Sequence, residues 1–148
     1  RSGMESLLQG GTSKGKSKLS SIAKDYIGEA DGKIADSAMR DQVLQYEMAQ
    51  RSLNLTKRRV IQESADGATL GPATSIFKVM STDLEKIYSD LATSLRGSQG
   101  FGWEGDAFTD TELEDMRVLL SSRAASIYSG SNEIQRNIIA KRVLGLPD

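Results

Sequence analysis

Two short segments of the chain hold residue types suited to ligand chemistry. The first, Ser129-Gly130-Ser131-Asn132-Glu133, stands where a helical pattern opens. The first turn of a helix leaves several N–H groups without intrahelical partners, and the helix dipole favours electron-rich ligands there. Ser131 serves equally well as the N-cap of its own helix, so capping and ligand contact are both open readings. The second segment is Ser94-Leu95-Arg96-Gly97-Ser98-Gln99-Gly100-Phe101-Gly102. Residues without a Cβ let a backbone approach a pyrophosphate closely and reach positive φ, although the same turn also reads as a plain C-cap and loop. A third stretch, Gly10 to Lys18, is rich in Gly, Ser and Lys, but Gly-Gly-Thr-Ser-Lys-Gly-Lys-Ser lacks the Walker spacing and any preceding strand. A solvated loop is the expectation there.

The chemistry available is narrowed by what the 148 residues omit. There is no His and no Cys, so disulfides and thiol chemistry are excluded and no metal site is expected. Nineteen basic and twenty acidic residues give a formal charge of -1, which provides no general attraction to nucleic acid or an anionic bilayer. No apolar run approaches the roughly 20 residues that span a membrane, and no signal-peptide pattern opens the chain. A cytoplasmic protein is the simplest expectation. The start at Arg1, without an initiator Met, suggests a cut inside a longer protein.

The elements that must position these segments are helical. Only two prolines, Pro72 and Pro147, interrupt long stretches of helical spacing, and no strand is expected. From Ala38 to about Asp66, Met39, Val43, Tyr46, Leu53 and Val60 recur on one face, with Asp36 or Ser37 as cap and Gly67 as stop. A second helix opens at Gly71-Pro72 and aligns Ala73, Ile76, Phe77, Met80, Leu84, Ile87, Leu91 and Leu95. The short Ala65-to-Leu70 connection makes these two helices antiparallel neighbours. A third begins at Thr109 or Asp110, where Thr109 and Glu112 form a capping-box pattern, with Leu113, Met116, Leu120, Ala124 and Ile127 facing inward. A fourth runs from Ser131 to Leu144 and buries Ile134, Ile138 and Val143. The reading is an all-α, up-and-down bundle of four main helices over residues 36–148. It is preceded by an irregular lead-in over 1–35, in which Met4–Leu8 is a short apolar piece and Leu19–Ile27 is helical.

The run Ile127-Tyr128-Ser129-Gly130-Ser131-Asn132-Glu133-Ile134-Gln135-Arg136, continuing to Leu146-Pro147, resembles the last helix of acyl-CoA dehydrogenases. The resemblance spans roughly Gly71 to Asp148 and is strongest from Ser122 to Pro147; before Gly71 only the helix pattern fits. It implies FAD-dependent α,β-dehydrogenation of an acyl-CoA thioester within fatty acid metabolism, with electrons passed to an electron-transfer flavoprotein. It also implies assembly as a homodimer or homotetramer, and Phe101 and Trp103, on their Gly-rich turn, are candidates for burial between subunits. This chain would supply the C-terminal part of the flavin and substrate site. By the resemblance, Ser131, Asn132 and Glu133 fall at FAD-contacting positions. The Gly97, Ser98 and Gly100 turn would approach the ADP half of a neighbouring subunit's FAD, although Ser94 and Ser98 replace the usual Gln and second Gly. The family's Arg-x-x-Phe signature is absent between Lys24 and Ile34, so no FAD contact is expected there.

Ser129 occupies the position at which most family members carry the catalytic Glu. Removing a proton α to a thioester needs a base whose pKa reaches the working pH, which a buried carboxylate achieves and an unassisted hydroxyl does not. The Ser129 backbone N–H keeps, by resemblance, the role of binding the thioester carbonyl oxygen. Some family members place the base on an earlier helix in a Glu-Arg pair, and Arg1-Ser2-Gly3-Met4 resembles the residues that follow it. The alternative is a non-catalytic subunit that pairs with a complete dehydrogenase.

Overall fold

A computed structural model of the chain describes residues 17–65 and 71–147. Met4–Leu8, residues 10–16 of the Gly/Ser/Lys-rich stretch, the Gly67 stop and the expected turn before Gly71 lie outside the described residues, as does Arg1–Met4.

The first element, α1 (Leu19–Tyr26), buries Leu19, Ile22 and Ala23 and ends at Gly28, whose φ of 103° lets the chain turn back. Two short antiparallel strands follow, β1 (Glu29–Ala30) and β2 (Lys33–Ile34), joined through Asp31 and Gly32, both at positive φ. Positive φ at both central residues is what a tight hairpin requires. No strand was expected here. A ladder of two residues per strand is too short for period-two alternation to register in a sequence.

Helix α2 (Ser37–Ala65) is capped by Asp36, whose Oδ1 accepts the Met39 N–H at 2.9 Å. It buries Val43 and Leu53, with Met39, Tyr46 and Val60 half-buried along the expected stripe. Helix α3 (Ala73–Arg96) begins one residue after Pro72, which serves as the N-cap. It is the central element: α1 and α2 pack on one side, and α4 (Asp110–Ala125) and α5 (Asn132–Ile138) on another. Having neighbours on two sides widens its buried arc. Phe77, Leu84, Leu91 and Leu95 lie inside as expected, but Met80 and Ile87 are exposed, and Tyr88 and Ala92 take inward places instead.

The main core joins Leu19, Ile22 and Ala23 of α1, Ile34 of β2 and Val43 of α2 to Tyr88, Leu91, Ala92 and Leu95 of α3. A smaller cluster of Leu53, Phe77 and Leu84 closes the other end of the α2–α3 pair. Tyr46, half-buried, packs against both, with its ring 5.9 Å from that of Tyr88.

Helix α4 opens with the expected capping box: Thr109 Oγ1 accepts the Glu112 N–H, and the Glu112 carboxylate accepts the Thr109 N–H. Its inward face differs from the expectation. Glu112, Asp115, Ser122 and Ala125 are buried, Leu113 and Met116 are half-buried, and Leu120, Ala124 and Ile127 are exposed. The polar groups that α3 presents, Arg96 and Ser89, pair with this face of α4. The later part of its apolar stripe, Leu120, Ala124 and Ile127, is left outside.

Helix α5 is shorter than expected and runs into a π-helical turn, Ile139–Val143, in which the Leu144 N–H bonds Ile139 O. Its buried residue is Asn132. Ile134 and Val143 are exposed and Ile138 is half-buried, because the helix is anchored to α3 by polar bonds in its first turn. Among the described residues the fold is therefore all-α apart from the small hairpin, an up-and-down bundle with five helices rather than four. Phe101 and Trp103 both stand exposed at one end, with the Arg117 guanidinium 5.8 Å from the Trp103 ring centroid.

Candidate functional site

The turn between α4 and α5 is built from two consecutive left-handed residues, Ser129 (φ 56°) and Gly130 (φ 90°). Left-handed backbone is costly for a residue with a Cβ, so Ser129 must be held there by its surroundings. Three donor groups do so. Lys78 Nζ donates to Ala125 O at 2.5 Å and to Tyr128 O at 3.0 Å. The Asn132 N–H donates to Ser126 O at 3.0 Å. The Asn132 side chain, 3% exposed, donates from Nδ2 to Thr82 Oγ1 at 3.0 Å and to Asp83 Oδ1 at 3.3 Å. The turn is thus bolted to the first half of α3, while Ser129 and Gly130 themselves face solvent.

Ser131 caps α5 through its Oγ, which accepts the Ile134 N–H at 3.5 Å. Glu133 is exposed, and its carboxyl is held below the usual range, first by its own backbone N–H and then by the Ser131 hydroxyl. Glu133 therefore stands as an exposed carboxylate in the first turn of α5, where the helix dipole favours negative charge.

The second expected segment forms a 3-10 turn, Gly97–Phe101, at the far end of α3. Gly97 has a φ of 57°, and Gly97 and Ser98 are exposed. Gly100 is buried against α3, and a Cβ there would meet Thr93 O at 2.3 Å. At Gly102 a Cβ would fall 2.4 Å from the Phe108 ring. From Thr82, which holds the Ser129 turn, to Arg96, which precedes Gly97, the helical rise is about 21 Å. The chain does not bring its two candidate segments together.

Sequence reasoning missed the network under the Gly97 turn. Arg96 Nε and Nη2 donate to Asp115 Oδ2 at 3.0 and 2.6 Å, and Nη1 donates to the Tyr26 hydroxyl oxygen at 2.7 Å. The Tyr26 hydroxyl in turn donates to Glu112 Oε1 at 2.7 Å. The Tyr26 bond and then the Thr109 N–H hold the Glu112 carboxyl below its ordinary range. Burial, then the bond to Glu112, pushes the Tyr26 phenol up. A usable signal was present: Glu112, Asp115 and Ser122 share one face of α4 at spacings of three and seven.

Among the described residues, no cluster of three or more Asp or Glu is placed to hold a metal ion, and no helix is long and apolar enough to cross a membrane.

An α3 strut with an exposed left-handed turn held to its first half and a glycine-rich turn at its far end, inside an all-α bundle, defines a helical-bundle domain that presents two separate turns. The C-terminal domain of acyl-CoA dehydrogenases matches residues 20–144, and the chain belongs to that family. The match reaches well upstream of Gly71, where the sequence itself offered only a helix pattern. Acyl-CoA dehydrogenase IpdE1 of Mycolicibacterium smegmatis is 33% identical over 124 residues, covering 82% of this chain and 29% of that protein. IpdE1 of Mycobacterium tuberculosis is 36% identical over 98 residues, covering 62% of this chain and 24% of that protein. The chain therefore spans under a third of the length of the curated relatives it matches. In fold it is similar to a chain of the ChsE4-ChsE5 complex from Mycobacterium tuberculosis, with a TM-score of 0.67 at 20% identity, covering 98% of this chain and 36% of that one.

Proposed function

We propose that the chain forms the C-terminal part of the site of an FAD-dependent acyl-CoA dehydrogenase that introduces an α,β double bond into an acyl-CoA thioester. The observation that carries this reading is the exposed left-handed backbone at Ser129-Gly130, anchored to α3 on both flanks and opening α5. A bound FAD would supply acceptance of the hydride from the β-carbon, and the electrons would go on to an electron-transfer flavoprotein.

The residues present fit that cofactor. Ser131 and Glu133 stand beside the exposed turn and would meet the cofactor, while Asn132, whose side-chain amide is committed to Thr82 and Asp83 and whose N–H is committed to Ser126 O, would act by holding the turn in place. At the other end, Gly97 and Ser98 are exposed on a turn whose Gly100 has no room for a side chain. A separation of about 21 Å suits these two ends to different cofactors in an assembly, one of this subunit and one of a neighbour. Ser129 binds the thioester carbonyl oxygen through its N–H and contributes no base, so the proton acceptor comes from elsewhere in the full protein.

A second reading is favoured by Ser129 itself: a non-catalytic subunit that pairs with a complete dehydrogenase. The ChsE4-ChsE5 structure, whose fold this chain resembles, is a complex of two components, which supports a partnered arrangement in general. Full-length protein mixed anaerobically with acyl-CoA thioesters separates the two. Loss of the flavin's visible absorption by the protein alone supports the first reading. Bleaching only when a second subunit is added supports the second, and no bound flavin in any assembly removes both.

A further inference from the structure

A positive charge sits directly behind the Ser129 turn. Carbonyls at a helix end lack intrahelical partners and carry the negative end of the dipole, so a lysine bonded to Ala125 O, at the end of α4, is ordinary helix-end chemistry. Its second bond is not. Tyr128 lies three residues beyond the helix, and its carbonyl belongs to the same peptide unit as the Ser129 N–H. No cis peptide occurs among the described residues, so the C=O and N–H of that planar unit point in opposite directions. With Tyr128 O drawn toward Lys78 on α3, the Ser129 N–H is aimed away from α3, on the side where Ser129 is exposed. The ammonium also lies 5.2 Å from the Tyr128 ring centroid, which adds a second hold on the same residue.

We propose that Lys78 is a positioning residue for the substrate: through the Tyr128–Ser129 peptide it orients the Ser129 N–H and strengthens it as the donor to the thioester carbonyl oxygen. This rests on the function proposed above. A carbonyl that accepts a charge-assisted bond polarises its whole peptide unit, which makes the N–H at the other edge a better donor. A lysine suits the task because one compact ammonium carries three donors and reaches both carbonyls. Asn132 and Thr82 secure the far flank of the turn but do not touch this peptide unit.

The test uses full-length holoprotein with Lys78→Met, which keeps length and removes the charge, and Lys78→Arg, which restores donors. Amide hydrogen exchange over residues 126–131 reads the hold on the turn; a conjugated acyl-CoA, whose absorption moves to the red when its carbonyl is polarised, reads the coupling to ligand. Lys78→Met is expected to speed exchange in 126–131 but not in 110–120, to reduce the red shift, and to weaken thioester binding about tenfold, with Lys78→Arg recovering part of each. If Lys78→Met does not fold, Lys78→Gln, a neutral donor, enters the same two measurements. Unchanged exchange in 126–131 overturns the hold on the turn. A red shift equal to wild type overturns the coupling. A wild-type protein that binds the thioester with no red shift overturns the reading of the site itself, whatever the exchange shows.

Discussion

Ser89 Oγ and Ser122 Oγ meet 3.1 Å apart where α3 crosses α4, each side chain only 1% exposed. Each hydroxyl also lies within bonding distance of a carbonyl of its own helix, Lys86 O for Ser89 and Leu119 O for Ser122. Small side chains let the two helices approach, and the shared hydroxyl contact satisfies the polar atoms this closeness buries.

Replacing Ser122 tests that account. Ser122→Ala should cost about 1 kcal/mol, because Ser89 keeps its bond to Lys86 O. Ser122→Leu adds volume where the helices have none to give and should cost about 1–3 kcal/mol. Urea unfolding of both variants checks the order, and a leucine that stabilises would show the crossing to be loosely packed.

The Arg96–Asp115 pair should behave differently from the surface ion pairs. Its side chains are 4% and 10% exposed, so removing one charge strands the other. Arg96→Met or Asp115→Leu alone should cost about 3–5 kcal/mol, and the double replacement should recover much of that loss. For Arg123 and Asp90, both half-exposed, the same double-mutant cycle should give under about 1 kcal/mol.

Glu112 gives the chain a dependence on acid. In the folded chain it binds its proton less readily than in the unfolded chain, so the stability it contributes is complete above the ordinary carboxylate range. That contribution is lost as pH falls through the lowered folded value. Urea midpoints measured from about pH 6 to about pH 3 should fall less steeply for Glu112→Gln than for wild type. Tyr26→Phe removes the largest cause of the shift and should flatten the profile part of the way.

Gly100 and its neighbour Thr93 make a paired prediction. Gly100→Ala places a methyl against the backbone oxygen of Thr93 and should cost about 2 kcal/mol while displacing the Gly97–Phe101 turn. Thr93 Oγ1 is buried with no hydrogen-bond partner among the described residues, so Thr93→Val should be neutral or stabilising. Thermal unfolding of the two single variants decides both.

The helices, their caps and the residues of the Ser129 turn were legible because each rests on a local rule. Asp36 and Thr109 announce helix starts, and Val43, Tyr46 and Leu53 on α2 and Phe77, Leu84 and Leu91 on α3 recur at spacings of three and seven. The inward faces of α4 and α5 were not legible. There the ordinary assumption that apolar residues point inward fails, because Glu112 is drawn to Tyr26 on α1, and Asp115, Ser122 and Asn132 to partners on α3, all more than 15 positions away in sequence. No spacing rule contains that information. The same holds for Lys78, which looks like a solvated charge until α4 is seen to end above it.

Helix α3 is gripped near Thr82 by Asn132 beyond the Ser129 turn and at Arg96 by Asp115 of α4. A helix held at two points fixes both distance and angle between them. One residue inserted between Thr82 and Arg96 would move the two ends about 1.5 Å apart and rotate one by about 100° relative to the other. Either Asn132 or Asp115 would then lose its partner. The number of residues between Thr82 and Arg96 is therefore set by the two grips together, and a change of length in this span of α3 costs one of them.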